Sequence, residues 1–308
     1  MLRVDFHVHS AYSHDAVDTI PEILRYARIR QLDAIAITDH ETTEGSIQAR
    51  KIRSQNDVQV IPGMELTVPV REGGIHLIAL YLENKPMYGS IAETIREIKR
   101  RGGIVVLPHP FRTGTGLFFN WRQGLITDNE LEFALDNIDY IEAINLKDTS
   151  EMITQTLQLV NRLNCPIVAG TDAHIAAEIG MVYCEIESLD HFRSGTERPV
   201  VVAHTRGESG LTIYCLSSCL MGHGNAGSLV SKLQARILSI GGRIFGFLFG
   251  SSKRTFLVKK FRSMLAIRKR RYIDRLMKSS IPVRILKVDS SLTVLAPTTR
   301  KRRNRHGY

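Results

Sequence analysis

The chain has 308 residues, 43% hydrophobic and 23% charged, which excludes a fibrous or disordered protein and allows one large core with a smaller appendage. Four cysteines are too few for a disulfide framework and fit a reducing, cytoplasmic setting. The net charge of +10 hides a division: residues 1–210 hold 20 Lys+Arg against 29 Asp+Glu, and residues 211–308 hold 21 against 2.

The opening segment, MLRVDFHVHS, is interrupted by Arg3, Asp5, His7 and His9, so it is not read as a secretory signal. It is instead the first of a series of strand-like runs. LRVDFHV is followed by DAIAIT (33–38), VQVIPG (58–63), IHLIALY (75–81), GIVVLPH (103–109), DYIEAIN (139–145) and PIVAGTD (166–172). Most are continuous Val/Ile/Leu/Ala runs, the pattern of strands buried on both faces. Helix signals lie between them. Asp18-Thr19 before Pro21 opens one, reaching about Gln31. Ser90 and Glu93 form a capping-box pattern ahead of an amphipathic stretch ending at Gly102. Thr127 to Leu135 and Ser150 to Leu163 supply two more. The alternation predicts an α/β fold with a mainly parallel sheet, open or closed into a barrel.

Polar residues collect at the strand ends. The first run carries His7 and His9, the second ends at Thr38-Asp39-His40, and the third reaches Glu65. The fifth ends in His109-Pro110, the sixth holds Glu142 and Asn145, and the seventh ends in Asp172-Ala173-His174. His76 differs, because it begins its run. In a parallel barrel the carboxyl ends of the strands meet at one mouth. Several imidazoles and carboxylates crowded there would be costly without a counter-charge, and divalent cations supply one. Period-2 alternation puts His7 and His9 on one side of a strand, within reach of a single ion. Mixed His/carboxylate ligation without cysteine favours a catalytic centre over a structural zinc clip.

The motifs Asp5-Phe-His7-Val-His9-Ser10, Tyr12-Ser13-His14-Asp15, Thr38-Asp39-His40, Gly63-Met-Glu65, His76, His109-Pro110 and Asp172-Ala-His174 resemble, in order, those of the polymerase and histidinol phosphatase (PHP) superfamily. The resemblance runs from residue 2 to about residue 195. It implies a distorted (β/α)7 barrel that hydrolyses phosphate esters at two or three divalent ions (Mn, Zn or Fe), hydroxide attacking phosphorus. By the same resemblance His7, His9, Glu65 and Asp172 would hold a first, catalytic ion. Glu65, bridging, would hold a second with His76 and His109. Asp15, His40 and His174 would hold a third. Asp39 and Asp5 would orient histidine rings from behind. Arg112, in His109-Pro-Phe-Arg112, and Lys147 are the candidates for gripping a substrate phosphate. A nucleotide or short oligonucleotide is the first substrate expectation; histidinol phosphate, or a docked module that only binds a phosphorylated ligand, are the alternatives.

The expected division is a barrel over residues 1–205 and a basic C-terminal region over residues 206–308, its last ~10 residues disordered. Helical readings there run from Ser228 to about Ile240 and over residues 253–278, the latter basic and amphipathic. Three roles suit residues 211–308: phosphate contacts with RNA or DNA, attachment to an anionic membrane surface, or a small helical or dimerising unit. Cys215, Cys219 and His223 read as ordinary residues, since a zinc site there lacks a fourth ligand. No apolar run approaches the roughly 18 residues a membrane span needs.

Overall fold

The computed structural model describes residues 1–53, 57–205, 270, 273–274, 281–288 and 291–295. The expected helices over 228–240 and 253–278, the Cys215–Cys219–His223 spacing and the terminal basic run lie outside these residues, apart from 270, 273 and 274.

In chain order the strands are β1 (Leu2–Val8), β2 (Ala34–Ile37), β3 (Gln59–Pro69), β4 (Gly74–Leu80), β5 (Ile104–Leu107), β6 (Tyr140–Asn145), β7 (Ile167–Gly170), β8 (Val182–Ile186), β9 (Val200–Thr205), β10 (Ile281–Val288) and β11 (Ser291–Leu295). The helices are α1 (Ile20–Ile29), α2 (Glu44–Ile52), α3 (Ile91–Arg100), α4 (Leu117–Arg122), α5 (Asp128–Asn137), α6 (Ser150–Leu163) and α7 (Leu189–Arg193). The sheet order is β11-β10-β9-β8-β1-β2-β3-β4-β5-β6-β7. The two ends of the β1-to-β7 portion approach each other, with a parallel bridge between Val8 and Ala173 and a 2.9 Å bond from the His9 N–H to the Ala173 carbonyl. This nearly closed, barrel-like sheet is the α/β barrel anticipated above.

β1 to β3 and β5 to β7 pair in parallel, as their buried aliphatic sequences require. β4 departs from the mainly parallel expectation. It runs antiparallel to both β3 and β5. The cause is the short link Val70-Arg-Glu-Gly73: Gly73 takes φ +83° and its carbonyl accepts the Val70 N–H, making a tight hairpin. So short a turn can join only antiparallel strands.

Local signals explain the helix starts. Ser90 accepts the Glu93 N–H while the Glu93 carboxylate takes the Ser90 N–H at 2.8 Å, and Thr127 and Glu130 form the same reciprocal box. Pro21 sits in the first turn of α1. Strand alternation then sorts β1: Phe6 stacks on Phe192 of α7 with centroids 4.3 Å apart, which leaves Asp5 and His7 on the opposite face.

The sheet contains strands from both sides of residue 205, because β10 pairs antiparallel with β9 and β11 with β10. The basic region also touches α1. Arg270 bonds Glu22 at 3.1 Å and pairs with Asp18, and Asp274 accepts from the Tyr26 hydroxyl at 3.2 Å and from Arg30 at 3.4 Å. Among the described residues no helix is long and apolar enough to cross a membrane.

Candidate metal centre

The rim is assembled from every strand of the β1-to-β7 portion. β1 carries His7 and the chain runs on to His9, His40 follows β2 and bridges to Glu65 in β3, and His109 follows β5. Asp172 and His174 follow β7, while the loop before α1 brings in Asp15. His76 lies at the start of β4, yet it faces the same cluster. The strand runs backwards, so its beginning shares the rim where the parallel strands end. His76 Nδ1 is 2.7 Å from Glu65 Oε1.

All nine residues named by the sequence as ligands meet here. Three overlapping groups place one donor atom from each member within 4.8 Å of the others: His7, His9, Glu65 and Asp172; His9, Asp15, His40 and His174; and His40, Glu65 and His76. His109 stands outside these groups, with Nε2 2.9 Å from Glu65 Oε1. That is the same Glu65 oxygen that His76 Nδ1 faces, while His40 Nδ1 is 3.4 Å from Oε2.

The electrostatics call for added positive charge. His7 Nε2 and His9 Nε2 face each other at 3.0 Å, with Glu65 Oε2 at 3.3 and 3.2 Å from them. Asp172 Oδ1 adds a second carboxylate, 3.2 Å from His9. Burial opposes charge on His9, but Asp172 and Glu65 outweigh it and carry its pKa up to about 9. His7 is also raised, burial being overcome by Asp172, Glu142 and Glu65.

His174 is the clearest case. Burial, with Lys147 and His9 nearby, lowers its pKa, so its ring is neutral at physiological pH. Its Nδ1 lies 2.8 Å from the Asp172 carbonyl, which can only accept, so the proton sits on Nδ1. The Nε2 lone pair then faces Asp15 Oδ2 at 2.9 Å. Asp15 Oδ2 also lies 3.4 Å from His40 Nε2. Its other oxygen is buried without a hydrogen-bond partner. A lone pair aimed at an anionic oxygen is unfavourable alone and favourable around a cation. The donor set thus fits divalent ions, through imidazole nitrogen and carboxylate oxygen.

Two of these residues sit in strained backbone: His109 at φ +30° and Asp172 at φ +50°. At Gly170 a Cβ would lie 2.3 Å from His7 Cβ and 2.7 Å from Glu142 Oε1, so only glycine lets β7 approach β1 this closely.

A surrounding layer holds the donors. Glu142 Oε1 accepts from His7 Nδ1 at 3.0 Å, and Ser13 Oγ lies 3.0 Å from His9 Nδ1. Asp39 and Asp5 do something other than expected: neither contacts a histidine ring. Asp39 holds the Ser10 N–H and hydroxyl at 2.6 and 2.7 Å. Asp5 accepts from the backbone of His7, Thr171 and Gly180 and from the Thr171 hydroxyl, tying β1 to the segment after β7. Both short carboxylates meet backbone donors before they could reach a ring.

The two substrate candidates are engaged within the protein. The Arg112 guanidinium bonds Asp172, Asn145 and Asp148. Lys147 Nζ is 3.2 Å from Glu178, its side chain 15% exposed, so it is no freely solvated surface charge. No motif or spacing pointed to Asp148 or Glu178. Asp148 lies 36 positions from Arg112, and such a pairing has no periodic signature. Ser13 was legible only as a member of a motif, without a role.

The family described as PHP domain matches residues 5–104, and the one described as PHP-associated matches residues 154–194. An uncharacterized protein of Methanocaldococcus jannaschii is 32% identical over 121 residues, 36% of this chain and 68% of that protein. A phosphoribosyl 1,2-cyclic phosphate 1,2-diphosphodiesterase of Eggerthella lenta is 37% identical over 81 residues, 26% of this chain and 30% of that enzyme. Among solved structures, a two-domain protein of Bacteroides vulgatus, described as containing a predicted PHP-like metal-dependent phosphoesterase, superposes with a TM-score of 0.52 at 17% identity. That match covers 68% of this chain and 72% of the other, and it is a likeness of fold.

Proposed function

The chain belongs to the PHP family, and from that premise we propose that it is a metal-dependent phosphoric ester hydrolase. The observation that carries this reading is the overlap of the donor groups: His9, His40 and Glu65 each belong to two of them, so neighbouring ions would share ligands. Bound there, divalent cations such as Mn, Zn or Fe supply charge that neutralises phosphate oxygens and acidify a water near neutral pH.

The proposed roles follow the geometry. His7, His9, Glu65 and Asp172 form the innermost group and are the residues on which hydrolysis depends. Glu65 turns one oxygen toward His7 and His9 and the other toward His76 and His109, which suits a bridging carboxylate. Asp15, His40 and His174 form the outer group with the buried His9, and the side chains of those three are 12–18% exposed where a substrate would arrive. Lys147 stands close enough to His174 to depress its pKa, and we assign it the role of drawing an anionic substrate toward the outer group.

The substrate proposed is a nucleotide or short oligonucleotide. The Eggerthella lenta relative is named for a ribose phosphate diester, and residues 211–308 carry 21 basic against 2 acidic residues, a charge that attracts polyanions. The barrel over residues 1–205 is proposed as the catalytic unit. The test is elemental analysis of the purified protein beside a panel of p-nitrophenyl phosphate, its bis ester, nucleotides and histidinol phosphate, with Mn added and then chelated. Turnover of the bis ester supports a diesterase, and turnover of the monoester alone a phosphatase. Bound metal with no turnover on the whole panel would leave a binding module and end the hydrolase reading.

A further inference from the structure

We propose that Arg112 is a positioning residue for Asp172, and that Asp148 and Asn145 are the anchor from which it works. The inference rests on the metal-centre reading above. Nη1 of Arg112 bonds Asp172 Oδ2 at 2.6 Å, Nη2 bonds Asn145 Oδ1 at 2.8 Å, and Nη2 and Nε converge on Asp148 Oδ1 at 2.7 and 3.1 Å. The fork therefore faces inward on three partners, two of them carboxylates with side chains only 2–3% exposed.

The consequence for Asp172 is a division of labour between its oxygens. Oδ2 is held by Arg112, with Asn145 Nδ2 at 3.4 Å. Oδ1 is thereby turned to His9 at 3.2 Å, His174 at 3.5 Å and His7 at 3.6 Å. Asp172 can then offer a cation one oxygen in a fixed direction, even though its backbone sits at φ +50°. The same anchor reaches the other side of the site. Asn145 Nδ2 donates to Glu142 Oε2 at 2.8 Å, and Glu142 orients His7. A phosphate that captured the Arg112 fork would draw it away from Asp148 and free Asp172 to rotate, undoing the site it came to use.

A lysine at position 112 keeps the charge but cannot span Asp148, Asn145 and Asp172 together. The experiment is therefore Arg112→Lys in the full-length protein, with Asp148→Asn as a second variant. Mn affinity is read by competition with a fluorescent chelator, and inhibition of bis-p-nitrophenyl phosphate hydrolysis by inorganic phosphate is read at saturating Mn. The expected result is Mn binding weakened by about 10–100-fold in Arg112→Lys, with phosphate inhibition within about 2-fold of wild type. Asp148→Asn should show a smaller loss in the same direction. Wild-type Mn affinity in a folded Arg112→Lys, or a loss of phosphate inhibition at unchanged Mn affinity, overturns the assignment. If Arg112→Lys does not fold, Asp148→Asn decides: weaker Mn binding supports the relay and unchanged binding refutes it. A wild-type protein that takes up no Mn, Zn or Fe would refute the metal centre itself, a distinct failure.

Discussion

Glu142 sets the direction of His7 through a bond that only a carboxylate can make on both sides at once. Oε1 accepts from His7 Nδ1 at 3.0 Å, and Oε2 accepts the His109 N–H at 3.0 Å and Asn145 Nδ2 at 2.8 Å. A glutamine must turn its NH2 toward one donor or the other. Glu142→Gln should therefore weaken binding of the first ion by about 10–100-fold with the fold retained. Isothermal titration with Mn, alongside circular dichroism, checks this; unchanged affinity would remove Glu142 from the account.

His9 and Asp172 lie in the innermost donor group, and the direct β1–β7 junction beside them is a backbone bond, from the His9 N–H to the Ala173 carbonyl. His9→Ala and Asp172→Ala should each lower the metal content per chain and abolish hydrolysis while leaving the far-ultraviolet spectrum intact. Mass-spectrometric metal analysis is the measure. Full activity in either variant would mean that the innermost group is misassigned.

Metal uptake should release protons. The pKa of His9 is raised to about 9 by Asp172 and Glu65 against the pull of burial, so the metal-free ring is charged at pH 7.5. A cation needs the neutral ring, so binding expels that proton. Apparent Mn affinity should climb from pH 6.5 toward 9 and then level. The metal-free fold behaves in the opposite sense: the His9 contribution is fully present below about pH 6.5 and is lost as pH rises through 9. Titrations in buffers of different ionisation enthalpy count the protons, and none released at pH 7.5 would contradict the scheme.

Gly170→Ala should destabilise the protein by about 1–3 kcal/mol, because the new methyl group meets the backbone and Cβ of His7. Thermal unfolding measures it. A neutral result would show that β7 can retreat from β1 without loss.

Much of this was readable in advance. The seven strands that build the rim stand out as aliphatic runs, because strands covered on both faces need no polar alternation. Ser90 and Glu93 announced α3 through their reciprocal cap. α2 left no such mark: its N-cap Thr43 makes no side-chain cap bond and its buried residues are Gly45, Ser46 and Ala49. The reversal of β4 was hidden in a short polar link, so His76 looked misplaced until its strand direction was known. The Arg112–Asp148 and Arg112–Asp172 pairs were beyond reach, since a contact between loops 36 and 60 positions apart depends on the closed sheet.

The line where β1 meets β7 has a mechanical consequence. There the cylinder is joined by an isolated bridge at Val8 and Ala173 in place of a full ladder, with the carboxylate of Asp5 as a lateral tie. His7 and His9 stand on one lip of that gap and Asp172 on the other. An ion gripped by all three would act as a rivet across the weakest joint of the wall, so the cofactor that enables chemistry would also keep the vessel from springing open. Stripping it should let amide hydrogens along β1 and β7 exchange before those of any other barrel strand.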